Sequence, residues 1–174
     1  MGNDQEEKEM ERLIATYGDG LYRLCLLYLR DAHLAEDAVQ DILLRAYQGR
    51  ARFEGRASDK TWLTAIAANV CKNYLRGNWF RRVDAGAVLE NIPAPPDAEP
   101  SDDALTREVL ALPDKYRAPV LLYYYEGLST RETAAALGLN ENTVSTRLRR
   151  ARGLLKTRLK GWMDDERPQL QSCP

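Results

Sequence analysis

The sequence predicts an all-α protein: two small helical domains joined by a flexible, acidic, proline-rich linker, the C-terminal domain a helix-turn-helix. Three observations carry this. Apolar residues recur at three- and four-residue spacing along most of the chain, with no competing strand-like alternation. The stretch VDAGAVLENIPAPPDAEPSDD interrupts that pattern and holds four of the eight prolines, Pro93, Pro95, Pro96 and Pro100. Finally, two short helical patterns separated by Gly138-Leu139-Asn140 lead into TVSTRLRRARGLLKTRLK, which has seven Lys or Arg and no acid in a chain of net charge -1.

Before the linker, Leu13, Ile14, Tyr17, Leu21, Leu24, Cys25 and Tyr28 predict a helix over roughly residues 7–30. Leu34, Ala38, Val39, Ile42, Leu43 and Ala46 predict a second over about 32–48, and Trp62, Leu63, Ile66, Val70 and Tyr74 a third over about 59–79. The glycine-bearing segment Gly49 to Ser58 is the loop before the third. Trp62 lies on the apolar stripe and is expected in the core; Phe53 lies in a polar loop and is not.

After the linker, SDDALTREVLAL forms a short helix ended by Pro113, which pushes the residue before it out of helical conformation. Pro119 is tolerated in a first turn, so the next helix is expected to start near Arg117 rather than Asp114, and to run to Glu126. Gly127 ends it. Ser129-Thr130-Arg131-Glu132 then has the form of a capping box, Gly138 that of a left-handed C-terminal cap, and Asn140 that of an N-cap. On the helix that follows, Val144, Leu148, Ala151 and Leu155 share one face and hold it against its partner. Ser145, Thr146, Arg149, Arg150 and Arg152 face outward, mixing short hydroxyls that reach base edges with guanidiniums that take guanine or phosphate. A solvated basic face is the plain alternative, but caps, small-residue packing face Thr133-Ala134-Ala135-Ala136, glycine turn and acid-free second helix all agree on a DNA reader.

Charge is segregated along the chain. Arg45 to Arg82 carries nine Lys or Arg against Glu54 and Asp59, whereas Val83 to Thr106 carries six acids and no Lys or Arg. Two basic surfaces around an acidic spacer suit a polyanion held at two places. No apolar run approaches the ~20 residues a membrane helix needs. The opening MGNDQEEKEMER is acidic where a secretory signal is basic and then apolar, so a cytoplasmic protein is expected. Cys25, Cys71 and Cys173 are far apart and His33 is the one histidine, which argues against a metal site or a disulfide framework. Cys25 and Cys71 fall at apolar helical positions and are expected as buried thiols. With no glycine-rich phosphate loop and no paired carboxylates, no catalytic role, cofactor or small-molecule substrate is expected.

Within the first domain, Phe53-Glu54-Gly55-Arg56-Ala57-Ser58 precedes a helix bearing Trp62, Asn69, Lys72, Asn73, Tyr74, Arg76, Trp79, Phe80, Arg81 and Arg82. Aromatics interleaved with cations and amides suit single-stranded nucleic acid, whose bases stack on rings while cations follow the backbone. Taken in order, AEDAVQDILLRAYQ, RFEGRASDKTWLTAIAANVCKNYLR and LPDKYRAPVLLYYYEGLSTRETAAALGLNENTVSTRLRRAR resemble a bacterial RNA polymerase sigma factor of the extracytoplasmic-function (ECF) group, over roughly residues 10–160.

The resemblance implies a sigma-two-like domain over 1–82, a linker over 83–103, a sigma-four-like helix-turn-helix over 104–163, and a tail over 164–174. It implies core RNA polymerase as partner, through the beta-prime clamp and the beta subunit, together with promoter DNA and an anti-sigma factor. Carried over by position, Asp37, Gln40 and Asp41 meet the polymerase. Phe53, Glu54, Gly55, Arg56, Ala57 and Ser58, with Asn69, form the pocket for a flipped minus-ten base. Lys72, Asn73, Arg76, Arg81 and Arg82 meet the strand or the duplex upstream. Ser129, Thr143, Ser145, Thr146, Arg147, Arg149, Arg150 and Arg152 meet the minus-thirty-five element. The chain departs from the family pattern at Asp59-Lys60, where an aromatic or apolar residue is common, at Ser145, where an arginine is common, and at Arg149, where an apolar residue occurs. The competing reading is a stand-alone helix-turn-helix regulator that binds duplex DNA as a dimer and needs no polymerase.

Overall fold

The computed structural model describes residues 2–77 and 102–159, with side chains from 5–77 and 105–159. Seven α-helices and one π-helical turn make up these residues: α1 (Gly2–Leu29), α2 (Ala32–Arg50), α3 (Asp59–Gly77), α4 (Asp102–Leu110), α5 (Asp114–Val120), the π-turn (Leu121–Tyr125), α6 (Thr130–Leu137) and α7 (Glu141–Arg158). Residues 83–101 of the linker, Trp79, Phe80, Arg81, Arg82, the tail and Cys173 lie outside the described residues, and Asp102 and Asp103, expected in the linker, already belong to α4.

The first three helices form one bundle. Asp31, in extended conformation, caps α2 by accepting from the Leu34 N–H at 2.9 Å. Ala35, Ala38, Ile42 and Ala46 on α2, and Leu63, Ala67, Ala68, Val70 and Cys71 on α3, are buried against Leu13, Leu21, Leu24, Cys25 and Tyr28 of α1. The alanines let the helix axes approach closely, and the larger side chains of α1 fill the space between them. Cys25 and Cys71 are buried free thiols with sulfurs 3.7 Å apart, and the Cys25 contact, together with burial, pushes the Cys71 thiol up.

The second domain corrects one expectation. Its α5 starts at Asp114, not near Arg117, with Pro113 in the N-cap position; the Pro113 carbonyl accepts from Tyr116 N at 2.8 Å and Arg117 N at 2.9 Å. Pro119 is therefore the sixth residue of the helix and is buried there. The missing N–H at 119 frees the Lys115 carbonyl, and an Arg147 guanidinium nitrogen lies 3.5 Å from that oxygen. Immediately afterwards the helix widens into the π-turn, closed by Glu126 N to Leu121 O at 3.0 Å. The carbonyl freed by Pro119 is met by a side chain from α7, which local spacing does not encode.

The two domains pack on each other, with α6 alongside α3. Arg117 is the anchor, 1% exposed. Its guanidinium donates to the carbonyls of Leu112 (2.9 Å) and Tyr28 (3.0 Å), approaches that of Leu110 (3.4 Å), and pairs with Asp114 at 2.7 Å. The Tyr28 and Leu110 carbonyls belong to the ends of α1 and α4, where a helix leaves acceptors without intrahelical partners, and that of Leu112 to the turn after α4. Five fixed donors suit that task, and burial lowers the guanidinium pKa from its ordinary value. Arg30 adds a second bond to Leu110 O at 3.2 Å from the first domain.

Candidate nucleic-acid and polymerase interface

The helix-turn-helix is built by its caps. Ser129 accepts from Glu132 N at 3.1 Å while the Glu132 carboxylate accepts from Ser129 N at 2.9 Å, and these bonds hold the Glu132 carboxyl below the usual range. The Ser129 hydroxyl is thereby committed to the cap, also donating to Glu132 at 2.8 Å. Gly138, at φ +65°, reverses the chain in the left-handed region. Asn140 then accepts from Thr143 N at 2.7 Å and starts α7. Val144, Leu148, Ala151 and Leu155 are the buried residues of α7, as their spacing predicts.

On the outer side of α7, Ser145, Arg149, Arg150 and Arg152 are exposed, and Thr143, Thr146 and Arg147 are half-buried. Arg149 and Arg152 make no ion pair among the described residues. The Arg150 guanidinium beside Tyr116 holds the tyrosine hydroxyl's pKa below its usual value. Arg147 is turned toward Lys115 O. The free part of the face is therefore Ser145, Arg149 and Arg152, flanked by Thr143 and Thr146.

On α3 the corresponding side chains are less free. Asn69 and Asn73 are exposed, with Asn69 Nδ2 donating to Ala65 O at 3.1 Å. Lys72 is half-buried, and its Nζ donates to Leu137 O at 3.1 Å, capping the C-terminal end of α6. Arg76 and Leu75 line the seam with Tyr28, Asp114, Leu137 and Arg147. At the other end of the seam Lys60 bonds to Glu126 O at 2.8 Å. One edge of the α3 face is thus occupied by the second domain.

The loop before α3 is organised by Phe53. Its ring stacks on Trp62 with centroids 4.6 Å apart and planes at 23°, and the Arg50 guanidinium lies 5.2 Å from the Phe53 centroid. Both rings are half-buried, so Trp62 serves the loop as well as the core. Gly49, Arg52, Phe53, Glu54, Arg56, Ala57 and Trp62 line an open hollow of about 450 Å³. Neither Ser58 nor Asn69 lines it. Gly55, at φ +67°, turns the tip, and Glu54 pairs there with Arg56.

On α2, Asp37 and Gln40 are exposed and Asp41 is half-buried, accepting from the Tyr74 hydroxyl at 2.9 Å. Burial, with Asp41 beside it, pushes that hydroxyl up to about 12. Sequence reasoning missed that the face continues into apolar side chains: Leu44 is 55% exposed and Tyr47 42%. The spacing 37, 40, 41, 44, 47 carries the signal, because i, i+3, i+4 and i+7 share a helix face. Leu44 and Tyr47 thus leave apolar side chains in water beside the polar cluster.

The fold and these faces define a two-domain, helix-turn-helix DNA-binding protein. Residues 13–81 match the family model of sigma-70 region 2, and residues 102–155 that of sigma-70 region 4. The chain is 30% identical over 168 residues to the ECF RNA polymerase sigma factor SigW of Bacillus subtilis, covering 85% of this chain and 87% of that protein. It is 31% identical over 158 residues to RfaY of Xanthomonas campestris, described as a probable RNA polymerase sigma factor, and spans 40% of that longer protein's length. The structure is similar to the sigma factor RpoE in its complex with the anti-sigma factor NepR from Bartonella quintana, with TM-score 0.71, 22% identity, and coverage of 88% of this chain and 98% of that one. The chain belongs to the sigma-70 family, as an alternative sigma factor of the ECF group. Its function follows from that membership: it binds core RNA polymerase and promoter DNA and directs promoter-specific initiation, and the stand-alone regulator is not favoured.

Proposed function

We propose that the two domains divide promoter recognition between them, with boundaries at 1–82, 83–103, 104–163 and 164–174. The N-terminal domain docks on the beta-prime clamp through Asp37, Gln40 and Asp41, extended by Leu44 and Tyr47. It captures the unpaired minus-ten strand with the loop Phe53–Ser58 and with Asn69, Lys72, Asn73 and Arg76, followed by Arg81 and Arg82. The helix-turn-helix reads minus-thirty-five with Ser145, Thr146, Arg149, Arg150 and Arg152, while Thr143, Arg147 and Ser129 sit at its edges. The observation that carries this reading is the pair of exposed polar faces on α3 and α7, one beside a stacked aromatic platform and the other on a capped recognition helix.

Because Lys72 caps α6 in this structure, capture of a strand on α3 requires α6 to move away from it. Binding to core polymerase supplies that separation, and the free protein binds promoter DNA weakly. The protein catalyses no reaction and acts in the cytoplasm; no helix among the described residues is long and apolar enough to cross a membrane. An anti-sigma factor holds it inactive, a proposal supported by the likeness to RpoE, whose structure contains one.

Run-off transcription tests the assignment, with core polymerase and a promoter library, with and without this chain. Promoter-specific transcripts that appear only with the chain, and depend on two separated elements, are expected. Failure to bind polymerase, with protection of a duplex site by the protein alone, would overturn it.

A further inference from the structure

The segment Asp59-Lys60, which departs from the family pattern, has a structural consequence that spacing does not encode. Asp59 opens α3 and accepts from two arginines, Arg50 Nη1 at 2.8 Å and Arg12 Nη2. Both arginines also donate to Glu9 on α1, Arg12 through Nε at 3.0 Å and Arg50 through Nη2. Four side chains from α1, the end of α2 and the start of α3 thus close a ring of alternating charge. The guanidinium of Arg50 belongs to this ring and also lies over both aromatic rings, 5.2 Å from Phe53 and 5.6 Å from Trp62. A planar, delocalised cation can bond in its plane and stack on its face at once, which an ammonium cannot.

We propose that Glu9, Arg12, Arg50 and Asp59 are positioning residues for the minus-ten loop: by fixing Arg50 they seat Phe53 on Trp62, and the seated ring sets where residues 54–58 hold an unpaired base. This rests on the assignment of that loop to the minus-ten strand. The backbone agrees with it. Phe53 N bonds to Arg50 O at 3.0 Å, Thr61 N to Ser58 Oγ at 3.0 Å and Trp62 N to Ser58 O at 3.0 Å, so both ends of the loop are tied to the residues that bear the stack. Between them the tip is exposed, and the hollow opens on the Phe53–Trp62 side. The carboxyls of Glu9 and Asp59 are held below their ordinary range, chiefly by the Arg12 bonds, so the ring is fully charged near neutral pH.

The test uses the holoenzyme and a non-template-strand oligonucleotide carrying the minus-ten sequence found by run-off selection. Asp59→Asn and Arg50→Lys are each expected to lower its affinity about ten-fold, or about 1.4 kcal/mol. They should also flatten base preference at minus-ten while leaving core-polymerase affinity and minus-thirty-five preference unchanged. A merely structural defect would lower all of these together. Phe53→Leu, with the ion pairs intact, is expected to give the same loss, and Phe53→Leu with Asp59→Asn no further loss, because both act through one ring. If Asn69→Ala weakens the oligonucleotide but Asp59→Asn and Arg50→Lys do not, the positioning role is wrong and the minus-ten assignment stands. If none of the four changes it, the minus-ten assignment has failed and the positioning role falls with it.

Discussion

The helices α3 and α7 carry similar inventories, cations and short polar side chains along one face, yet they stand in different situations. On α7, Arg149 and Arg152 reach into solvent. On α3, Lys72 is spent on the C-terminal end of α6, and Arg76 lines the seam between domains. What differs is the partner. The packing face of α7 is covered within its own domain, and Ser145, Arg149 and Arg152 of its outer face are left exposed. A cationic face describes a nucleic-acid reader in both cases; whether it is available depends on contacts that lie far away in the chain.

The largest effect that sharpens this comparison belongs to Arg117, which holds the domains together. Arg117→Ala leaves the carbonyls of Tyr28 and Leu112 without their guanidinium donor and opens a cavity, and is expected to cost about 3 kcal/mol in urea unfolding. Next is Gly138→Ala. A Cβ at Gly138 meets nothing closer than Lys72 Nζ at 3.7 Å, so its cost is the left-handed backbone alone, about 1–2 kcal/mol by the same measurement.

Asn140→Ala removes the cap of α7 and is expected to cost about 1 kcal/mol, with loss of helicity confined to the first turn of α7 in amide hydrogen exchange. The smallest pair is the most discriminating. Lys72→Met is expected to destabilise by about 0.5 kcal/mol through the lost cap on α6. Arg149→Ala, by contrast, should leave the unfolding midpoint of the free protein unchanged. Equal effects would break the distinction between an occupied face and a free one.

The same contrast explains what the sequence made legible. Each device of the helix-turn-helix closes within a few residues: Ser129 to Glu132, Asn140 to Thr143, and Gly138 between them. The buried face of α7 was therefore readable from spacing alone. The start of α5 was not, because the carbonyl that Pro119 frees is met by Arg147, on a helix 28 residues further on. Arg117, Lys60 and Lys72 likewise find their partners 89, 66 and 65 residues away, at backbone carbonyls that leave no trace in residue identity. The loop before α3 shows both sides. Its aromatic and basic composition was visible, but the stack of Phe53 on Trp62, and the hold of Glu9 and Asp59 on Arg50, need three helices in place.

The free chain is expected to keep the α3 face against α6, and core polymerase to separate them. Pulsed electron paramagnetic resonance tests it directly, with spin labels at the exposed positions Gln48 on α2 and Thr157 on α7 in a Cys173→Ser background. One narrow distance population is expected in the free protein, replaced by a different distribution when core polymerase is added. The same distance distribution in both states would contradict it.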